Sequence, residues 1–288
     1  MAFVADRIAG PVMAASALFL AFSGVAMAQD AGQPGVVGQP EPWQTGFQVA
    51  ASAVMEDIEH FHNVILMPII TVIALFVLAL LLVVIFRYNQ KANPIPSKLT
   101  HHTGLEIAWT VLPIIILVFI AIPSFRLLYY QQTIPQADLT IKATGAQWYW
   151  SFEYPDLGGI AFDANMIEEK DLKPGQPRLL AVDNEVVVPV DKVVRVQVTG
   201  ADVIHSFAIP SFGIKIDAIP GRLNETWFKA THTGIFYGQC SELCGTKHAF
   251  MPVAIRVVSE ADFTSWVSTK KAEMEGHNPD KVASATAN

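Results

Sequence analysis

The sequence predicts a membrane-anchored all-β protein, in which a two-helix transmembrane hairpin precedes a β-sandwich or barrel. Two uncharged apolar runs, 64–86 and 107–125, are each long enough to cross a bilayer. From about 138 to 258, short alternating runs rich in β-branched and aromatic residues replace the helical period. The whole chain is 52% hydrophobic and only 16% charged, which is too apolar for an ordinary soluble protein.

The first 28 residues are predicted to be a secretory signal peptide (1–28). Arg7 precedes an apolar run at 11–25, and the sequence Ala-Met-Ala at 26–28 fits the A-x-A cleavage rule. We therefore expect cleavage before Gln29, followed by an exported N-terminal segment over 29–63. An uncleaved membrane anchor is the alternative, although the apolar run is short for one.

The membrane hairpin is predicted to consist of helices at 64–88 and 105–127, joined by a loop at 89–104. The connection carries Arg87, Lys91 and Lys98 and no acidic residue. By the positive-inside rule this loop lies in the cytoplasm, so both flanks of the hairpin lie outside. The signal peptide predicts the same orientation independently.

The exported domain is predicted over 137–258, with seven or more strands arranged as a sandwich or barrel. The C-terminal segment, 259–288, is predicted to be helical to about residue 275 and then disordered. A net charge of -7 argues against a nucleic-acid partner, because phosphate binding needs a cationic surface. The motifs for nucleotide binding and acyl transfer do not occur in the sequence.

The chain's only two cysteines, Cys240 and Cys244, lie in the stretch CSELCGTKHAFM at 240–251. In an exported domain two cysteines usually form one disulfide. A turn through 241–243 would let their Cα atoms approach within the ~7 Å that a bridge requires. The cysteine count alone therefore favours a bridge over a metal site.

The neighbouring donors favour a metal. His248 and Met251 complete the spacing C-x3-C-x3-H-x2-M, and His205 lies on an earlier predicted strand. Cysteine, histidine and methionine on one loop with an earlier histidine is the pattern of a cupredoxin copper site, and zinc seldom takes methionine. A blue-copper centre uses only one cysteine, so the additional thiolate predicts two coppers bridged by two thiolates.

The loop at 240–251, the segment VIHSF at 203–207, the aromatic run GAQWYWSFEYP at 145–155 and the hairpin together resemble subunit II of haem-copper cytochrome c oxidases. The resemblance covers about 43–258. It implies an all-β cupredoxin-like Greek-key sandwich or barrel, in a chain of the bacterial inner membrane whose two termini and copper domain are periplasmic. It also implies that electrons pass from cytochrome c to haem in subunit I, where oxygen is reduced to water and protons are pumped.

The same resemblance implies a binuclear CuA centre with six donors. These are two bridging thiolates, one imidazole for each copper, a weak axial thioether and a backbone carbonyl, supplied by Cys240, Cys244, His205, His248, Met251 and Glu242. The Glu242 carboxylate is implied to bind a Mg or Mn ion shared with subunit I. Such hard cations need several oxygen ligands, so the others must come from another chain.

Further residues take roles from the resemblance. Trp148 corresponds to the position at which electrons from cytochrome c arrive, although aromatic rings in a strand are usually core. Glu153, Asp183 and Asp202 are implied to dock the basic cytochrome c, against the alternative that each is an ordinary solvated acid. Glu106 is implied to lie at the mouth of the proton path called the K pathway. Alternatively, it only stabilises a helix N-terminus.

The expected partners are subunits I and III, cytochrome c and the lipid membrane. Three alternatives remain to be weighed. A quinol oxidase subunit II would lack the copper ligands, and a variant with a fused haem domain would carry C-x-x-C-H, which does not occur in the sequence. A membrane-anchored copper chaperone or storage protein would need exposed, exchangeable ligands.

Overall fold

The computed structural model describes residues 38–276. The predicted signal peptide and the last part of the C-terminal tail lie outside the described residues. Helix α1 spans Ala53–Arg87 and contains a π-helical segment at Phe61–Leu66 between α-helical parts at Ala53–His60 and Met67–Arg87. Helix α2 spans Thr103–Gln132.

Both helices begin at a side-chain cap. Ser52 Oγ accepts a hydrogen bond from Met55 N at 3.1 Å, and His102 Nδ1 accepts one from Leu105 N at 3.2 Å. These bonds satisfy N–H groups that have no partner in a first helical turn. Beyond the caps, both helices are long and apolar enough to cross a membrane, and their large apolar side chains are exposed. The chain is therefore a membrane protein with two candidate spans.

Ten strands follow α2, and the helix α3 closes the described chain. The strands β1 to β10 are Leu139–Ala146, Tyr149–Tyr154, Ile160–Ala164, Val186–Pro189, Val193–Gly200, His205–Ile209, Ile214–Ala218, Asn224–Lys229, Gly234–Gln239 and Pro252–Val258. Helix α3 spans Glu260–Gly276.

The strands form three sheets. One sheet has the order β3-β2-β1-β5-β8, a second has β4-β10-β9, and β6 and β7 form a two-stranded ribbon. The β1–β5 and β4–β10 pairs are parallel and the others are antiparallel. Within the described residues the sheets stack as a sandwich and do not close into a barrel. The predicted fold class, a two-helix hairpin followed by an all-β domain, is confirmed in its sandwich form.

The alternation along the strands explains which faces pack. In β1 and β5 every second residue is buried, whereas β4 and β6 are buried along their whole length. Strands buried on both faces read as continuous apolar runs. The core that results includes Ile141, Trp150, Phe152, Phe207 and Phe236, and it supports the loops at one end of the sandwich.

The N-terminal segment and α2 are hydrogen-bonded to the sandwich. Ala51 N donates to Ser211 O at 2.8 Å, and Ser52 Oγ donates to Phe212 O at 2.8 Å. The second helix, α2, is attached through Trp227, whose Nε1 donates to Gln131 O near the end of the helix at 3.1 Å. Because both helices are hydrogen-bonded to the sandwich next to one of their ends, the sandwich sits directly on the hairpin.

Candidate metal centre

The predicted copper donors lie at the ends of three strands. His205 is the first residue of β6, Cys240 follows β9 directly, and Met251 immediately precedes β10. The loop between β9 and β10, residues 240–251, carries the other predicted donors; we call it the copper loop. Since β9 and β10 are hydrogen-bonded partners, both ends of the copper loop are fixed by one ladder.

All the side-chain donors predicted from the sequence converge. The Cys240 and Cys244 sulfurs are 3.8 Å apart, and His205 Nδ1 is 3.9 Å from Cys240 Sγ. His248 Nδ1 and Met251 Sδ each lie 3.5 Å from Cys244 Sγ. The Glu242 carbonyl oxygen lies 3.3 Å from Cys240 Sγ. In the described part of the chain, the only cluster of three or more His, Cys, Asp or Glu ligand atoms is His205, Cys240 and Cys244.

The donors suit a soft metal, and the two cysteines do not form a disulfide bridge with each other. Both cysteines are free thiols, and their separation is far from the ~2.05 Å of a disulfide bond. Thiolate, imidazole and thioether donors favour copper over hard cations such as Mg²⁺. The disulfide that the cysteine count alone favoured is therefore not formed.

The centre is withdrawn from water. His205 is completely buried, and Cys240, Cys244 and Met251 are each at most 5% exposed. Burial, followed by the charge of Cys240, raises the pKa of the Cys244 thiol to about 12. A metal must displace protons from these thiols to bind, so binding releases protons and strengthens as the pH rises.

The Asp202 carboxylate is hydrogen-bonded to His205 Nε2, the ring nitrogen that is not directed at Cys240. Its Oδ1 lies 2.8 Å from His205 Nε2, which leaves Nδ1 facing Cys240. Burial by itself would raise the pKa of Asp202, but hydrogen bonds from His205, Val203 N and Gln147 N outweigh burial and lower it. A carboxylate behind a ligating imidazole fixes the ring's orientation and tautomer.

Two residues of the aromatic run support the donors. Trp150 Nε1 donates to Met251 O at 3.3 Å, and its ring lies edge-on to the His205 ring with centroids 6.1 Å apart. Gly145 lies directly against the same imidazole. A Cβ at this position would come within 2.9 Å of His205 Cβ, Cγ and Cδ2, so a side chain there would clash with the ring. The run therefore does more than fill the core, since it forms one wall of the donor cluster.

Trp148 lies against the copper loop at Gly245. A Cβ on Gly245 would lie 3.1 Å from Trp148 Cζ2 and 3.1 Å from Gln147 Nε2, and the residue has φ +123°. Only glycine adopts this conformation readily and leaves room for the indole. The proposed electron-accepting tryptophan is therefore in contact with the residue that follows Cys244.

The three predicted docking acids are all engaged within the chain. Glu153 forms an ion pair with Lys142 at 3.4 Å. Asp183 accepts hydrogen bonds from Asn165 N and Asn165 Nδ2 at 2.7 and 3.1 Å, which join the end of β3 to the segment before β4. Asp202 remains 35% exposed, but its oxygens are occupied by His205, Val203 N and Gln147 N.

Glu106 and Glu242 lie apart from the donor cluster. Glu106 Oε1 accepts a hydrogen bond from His102 N at 3.3 Å in the first turn of α2, as a helix-capping acid does. The Glu242 side chain is exposed on the copper loop. Among the described residues, Glu242 belongs to no cluster of three or more metal-capable side chains.

Sequence reasoning missed Gln147 and the supporting role of Trp150. The resemblance assigns Asp202 to docking, and the structure also places its carboxylate against His205 Nε2; its place three residues before His205 is an available signal for that contact. Gln147 gives no such signal, because its side chain reaches Cys244 O across 97 residues of chain at 2.7 Å. Only the folded structure brings these groups together.

Two apolar helices, a β-sandwich and a buried thiol–imidazole–thioether cluster define a membrane-anchored protein with a soft-metal site. Two family profiles match the chain: "Cytochrome C oxidase subunit II, periplasmic domain" over 139–258, and the transmembrane domain of the same subunit over 40–127. The chain belongs to the cytochrome c oxidase subunit II family, as the resemblance predicted.

Individual relatives agree. A probable cytochrome c oxidase subunit 2 of Rickettsia felis is 54% identical over 246 residues, covering 85% of this chain and 78% of the relative. The cytochrome c oxidase subunit 2 of Cereibacter sphaeroides is 47% identical over 250 residues, covering 81% and 82%. The crystal structure of the periplasmic domain of subunit II of cytochrome oxidase from Bradyrhizobium japonicum is 69% identical. It covers 49% of this chain and 99% of its own, with a TM-score of 0.46.

Proposed function

We propose that this chain is the electron-accepting subunit of an aerobic cytochrome c oxidase. In this proposal it receives electrons from cytochrome c through Trp148 and passes them to haem in subunit I, where oxygen is reduced to water and protons are pumped. Each transfer moves one electron, so that ferrous cytochrome c becomes ferric and no bond or proton is exchanged. The proposal rests on one observation, the convergence of His205, Cys240, Cys244, His248, Met251 and the Glu242 carbonyl.

The proposed cofactor is binuclear copper, CuA, which the thiolates of Cys240 and Cys244 would hold together with His205, His248 and Met251. When bound, it would supply one-electron redox chemistry. The chain's residues do the remaining work: Asp202 orients His205, and Trp150 holds the carbonyl of Met251. The sandwich excludes water from His205, Cys240, Cys244 and Met251. A ligand cage fixed by strands changes little when its charge changes, which favours fast electron transfer.

Partner contacts are proposed from exposed groups near the donors. Leu243 and Phe250 on the copper loop, and Ile204 next to His205, are 79%, 43% and 46% exposed. Large apolar side chains on an exported loop indicate a contact surface, and we assign it to the membrane-embedded subunit I. The exposed Glu242 carboxylate would then share a Mg or Mn ion with that subunit, and subunit III would complete the complex. Glu153, Asp183 and the residual charge of Asp202 are proposed to attract cytochrome c.

The orientation is proposed from charge. The connection between α1 and α2 carries Arg87, Lys91 and Lys98, which supports a cytoplasmic position for the connection and a periplasmic position, in a bacterium, for the sandwich. In this orientation Glu106, at the start of α2, faces the cytoplasm and is proposed to lie at the mouth of the K pathway.

Copper analysis of the purified full-length chain tests the proposal. We expect two coppers per chain and a mixed-valence electron spin resonance signal, both lost in Cys244→Ser. The matched control Ser241→Ala changes an exposed hydroxyl of the same loop and should retain both. One copper per chain, or an oxidised dithiol without copper, would contradict the CuA assignment.

A membrane-anchored copper chaperone is the second candidate, because it would hold similar ligands. Burial of the donors argues against it, since a chaperone must exchange copper with a partner. Incubation with a competing chelator separates the two: copper retained over hours supports an electron carrier, whereas rapid loss supports a chaperone.

A further inference from the structure

The turn between β1 and β2 is attached to the copper loop and to the Asp202 carboxylate through a single residue. Gln147 uses two different groups for this. Its backbone N–H donates to Asp202 Oδ2 at 2.7 Å, and its side-chain amide Nε2 donates to the carbonyl oxygen of Cys244 at 2.7 Å. Asp202 in turn is hydrogen-bonded to His205. Gln147 is therefore connected to two proposed copper ligands on separate segments, to Cys244 directly and to His205 through Asp202.

The next residue, Trp148, has no comparable attachment. Its indole Nε1 is buried and makes no hydrogen bond in the described structure. The ring is held by packing, with its edge against Gly245, and the Gln147 amide touches the same glycine. A ring held only by packing takes its position from its neighbours, and the nearest directional contact is that of Gln147.

We propose that Gln147 is a positioning residue for electron transfer, which fixes the gap between the Trp148 indole and the copper loop at Cys244–Gly245. The inference rests on the proposed function, because it assumes that electrons pass through Trp148. Electron transfer through protein slows steeply with distance, so a hydrogen bond that closes this gap controls the rate. Gln147 would act through Trp148 and the loop, without coordinating metal.

The side chain's direction distinguishes this role from docking. Part of Gln147 is exposed, and an exposed glutamine beside Trp148 might be read as a contact for cytochrome c. However, its amide nitrogen is committed inward to the Cys244 carbonyl at a short distance. A residue that only touches the partner would alter the affinity for cytochrome c and leave Trp148 in place, whereas a positioning residue would do the opposite.

The test uses the assembled oxidase carrying Gln147→Met, which keeps the side-chain size and removes the donor. We expect electron transfer from bound cytochrome c, measured by flash photolysis at saturation, to slow severalfold, because the rate falls as the gap between Trp148 and the copper loop widens. The KM for cytochrome c should change less. Hydroxyl-radical labelling of Trp148, measured by mass spectrometry, should increase.

Two further variants sharpen the result. Gln147→Glu adds a negative charge facing a basic partner, so a docking role predicts a lower KM with no loss of rate, whereas the positioning role predicts a slower rate. Gln197→Met is the matched control, because the Gln197 amide donates to Glu225 on the neighbouring strand β8. It should change neither rate nor labelling.

Unchanged transfer and unchanged Trp148 labelling in Gln147→Met would overturn the inference. If copper content falls in the variant, labelling of copper-free wild type and copper-free variant is compared instead; equal labelling then overturns the inference and greater labelling supports it. Failure of the proposed function is distinguishable, because it would show in the wild type, as a missing copper signal or as Trp148→Phe transferring electrons at the normal rate.

Discussion

At the scale of single residues, Asp202 illustrates how a charge can serve a metal without binding it. Its carboxylate takes hydrogen bonds from His205, Val203 N and Gln147 N, so that one side chain joins a ligand to the turn before Trp148. Carboxylates behind metal-bound histidines commonly govern affinity as strongly as some ligands. This makes Asp202 a better candidate for positioning than for docking.

We predict that Asp202→Asn weakens copper retention by roughly 10- to 100-fold, because the neutral amide no longer fixes the His205 tautomer. Chelator competition on the purified chain measures it. Asp183→Asn is the control, since that carboxylate accepts hydrogen bonds from Asn165 and none from His205 in the described structure. Equal retention in both variants would show that Asp202 has no part in the metal site.

Tyr154 predicts a pH effect on stability. It is fully buried, and burial raises its pKa far above the ordinary value despite hydrogen bonding to Val187. Below pH 10 both the folded and unfolded forms keep the phenol proton. Above pH 10 the unfolded chain loses it and the folded chain does not, so the free energy of unfolding falls by up to about 1.4 kcal/mol per pH unit.

The variant Tyr154→Phe checks this sign. At neutral pH it should lower the free energy of unfolding by about 1–3 kcal/mol, because Val187 N and O each lose a bond of 2.9 Å to the hydroxyl. Above pH 10 the gap between variant and wild type should narrow. Chemical denaturation at pH 7 and pH 11 measures it, and a gap that widens would refute the assignment.

At the scale of elements, the Glu106 carboxylate in the first turn of α2 has a structural role and a proposed functional role. Glu106 accepts the His102 N–H and also lies where the proton path is proposed to begin. Its capping role needs only an oxygen acceptor, whereas proton uptake needs an ionisable group. The two roles can therefore be separated by one conservative change.

We predict that Glu106→Gln slows oxygen consumption by the assembled oxidase while leaving its thermal unfolding unchanged, since the amide oxygen still caps the helix. Glu106→Ala should slow turnover and also destabilise the helix by about 1 kcal/mol. Full activity in Glu106→Gln, with loss only in Glu106→Ala, would leave capping as the residue's sole role.

The elements also show what the sequence can and cannot predict. Uncharged runs predicted the two helices, and period-2 alternation predicted an all-β domain. The spacing C-x3-C-x3-H-x2-M, with His205, predicted donors that the fold brings together. The first turns of α1 gave no apolar signal, because Glu56, Asp57 and Glu59 interrupt them. The structure shows that these turns are helical, with Val54 and Met55 buried.

The contacts of Gln147 were unpredictable for a different reason. Hydrogen bonds across 55 and 97 residues depend on how turns meet after the sheets have stacked. Periodicity and local spacing describe single strands, and they carry no information about which loops become neighbours. Residues that bind metal have recognisable chemistry, whereas a residue that positions them has an ordinary side chain.

At the scale of the whole molecule, the proposed orientation rests on a few basic residues in one loop. We predict that alkaline phosphatase inserted after Pro96 is inactive, because the enzyme needs export to form its disulfides. The same reporter fused after Val258 should be active. Equal expression of the two fusions is the control, and activity only in the loop fusion would reverse the proposed topology.

The spread of the donors over β6 and the loop before β10 sets an order of events in biogenesis. His205 precedes Cys240 by 35 residues, so an emerging chain has no complete cage until its last strand has been translocated and paired. Under the proposed function, metal insertion would therefore be the final step, after secretion. In the proposed orientation Cys240 and Cys244 would face an oxidising compartment as neighbouring thiols throughout that interval, and a reductant would have to protect them until copper arrives.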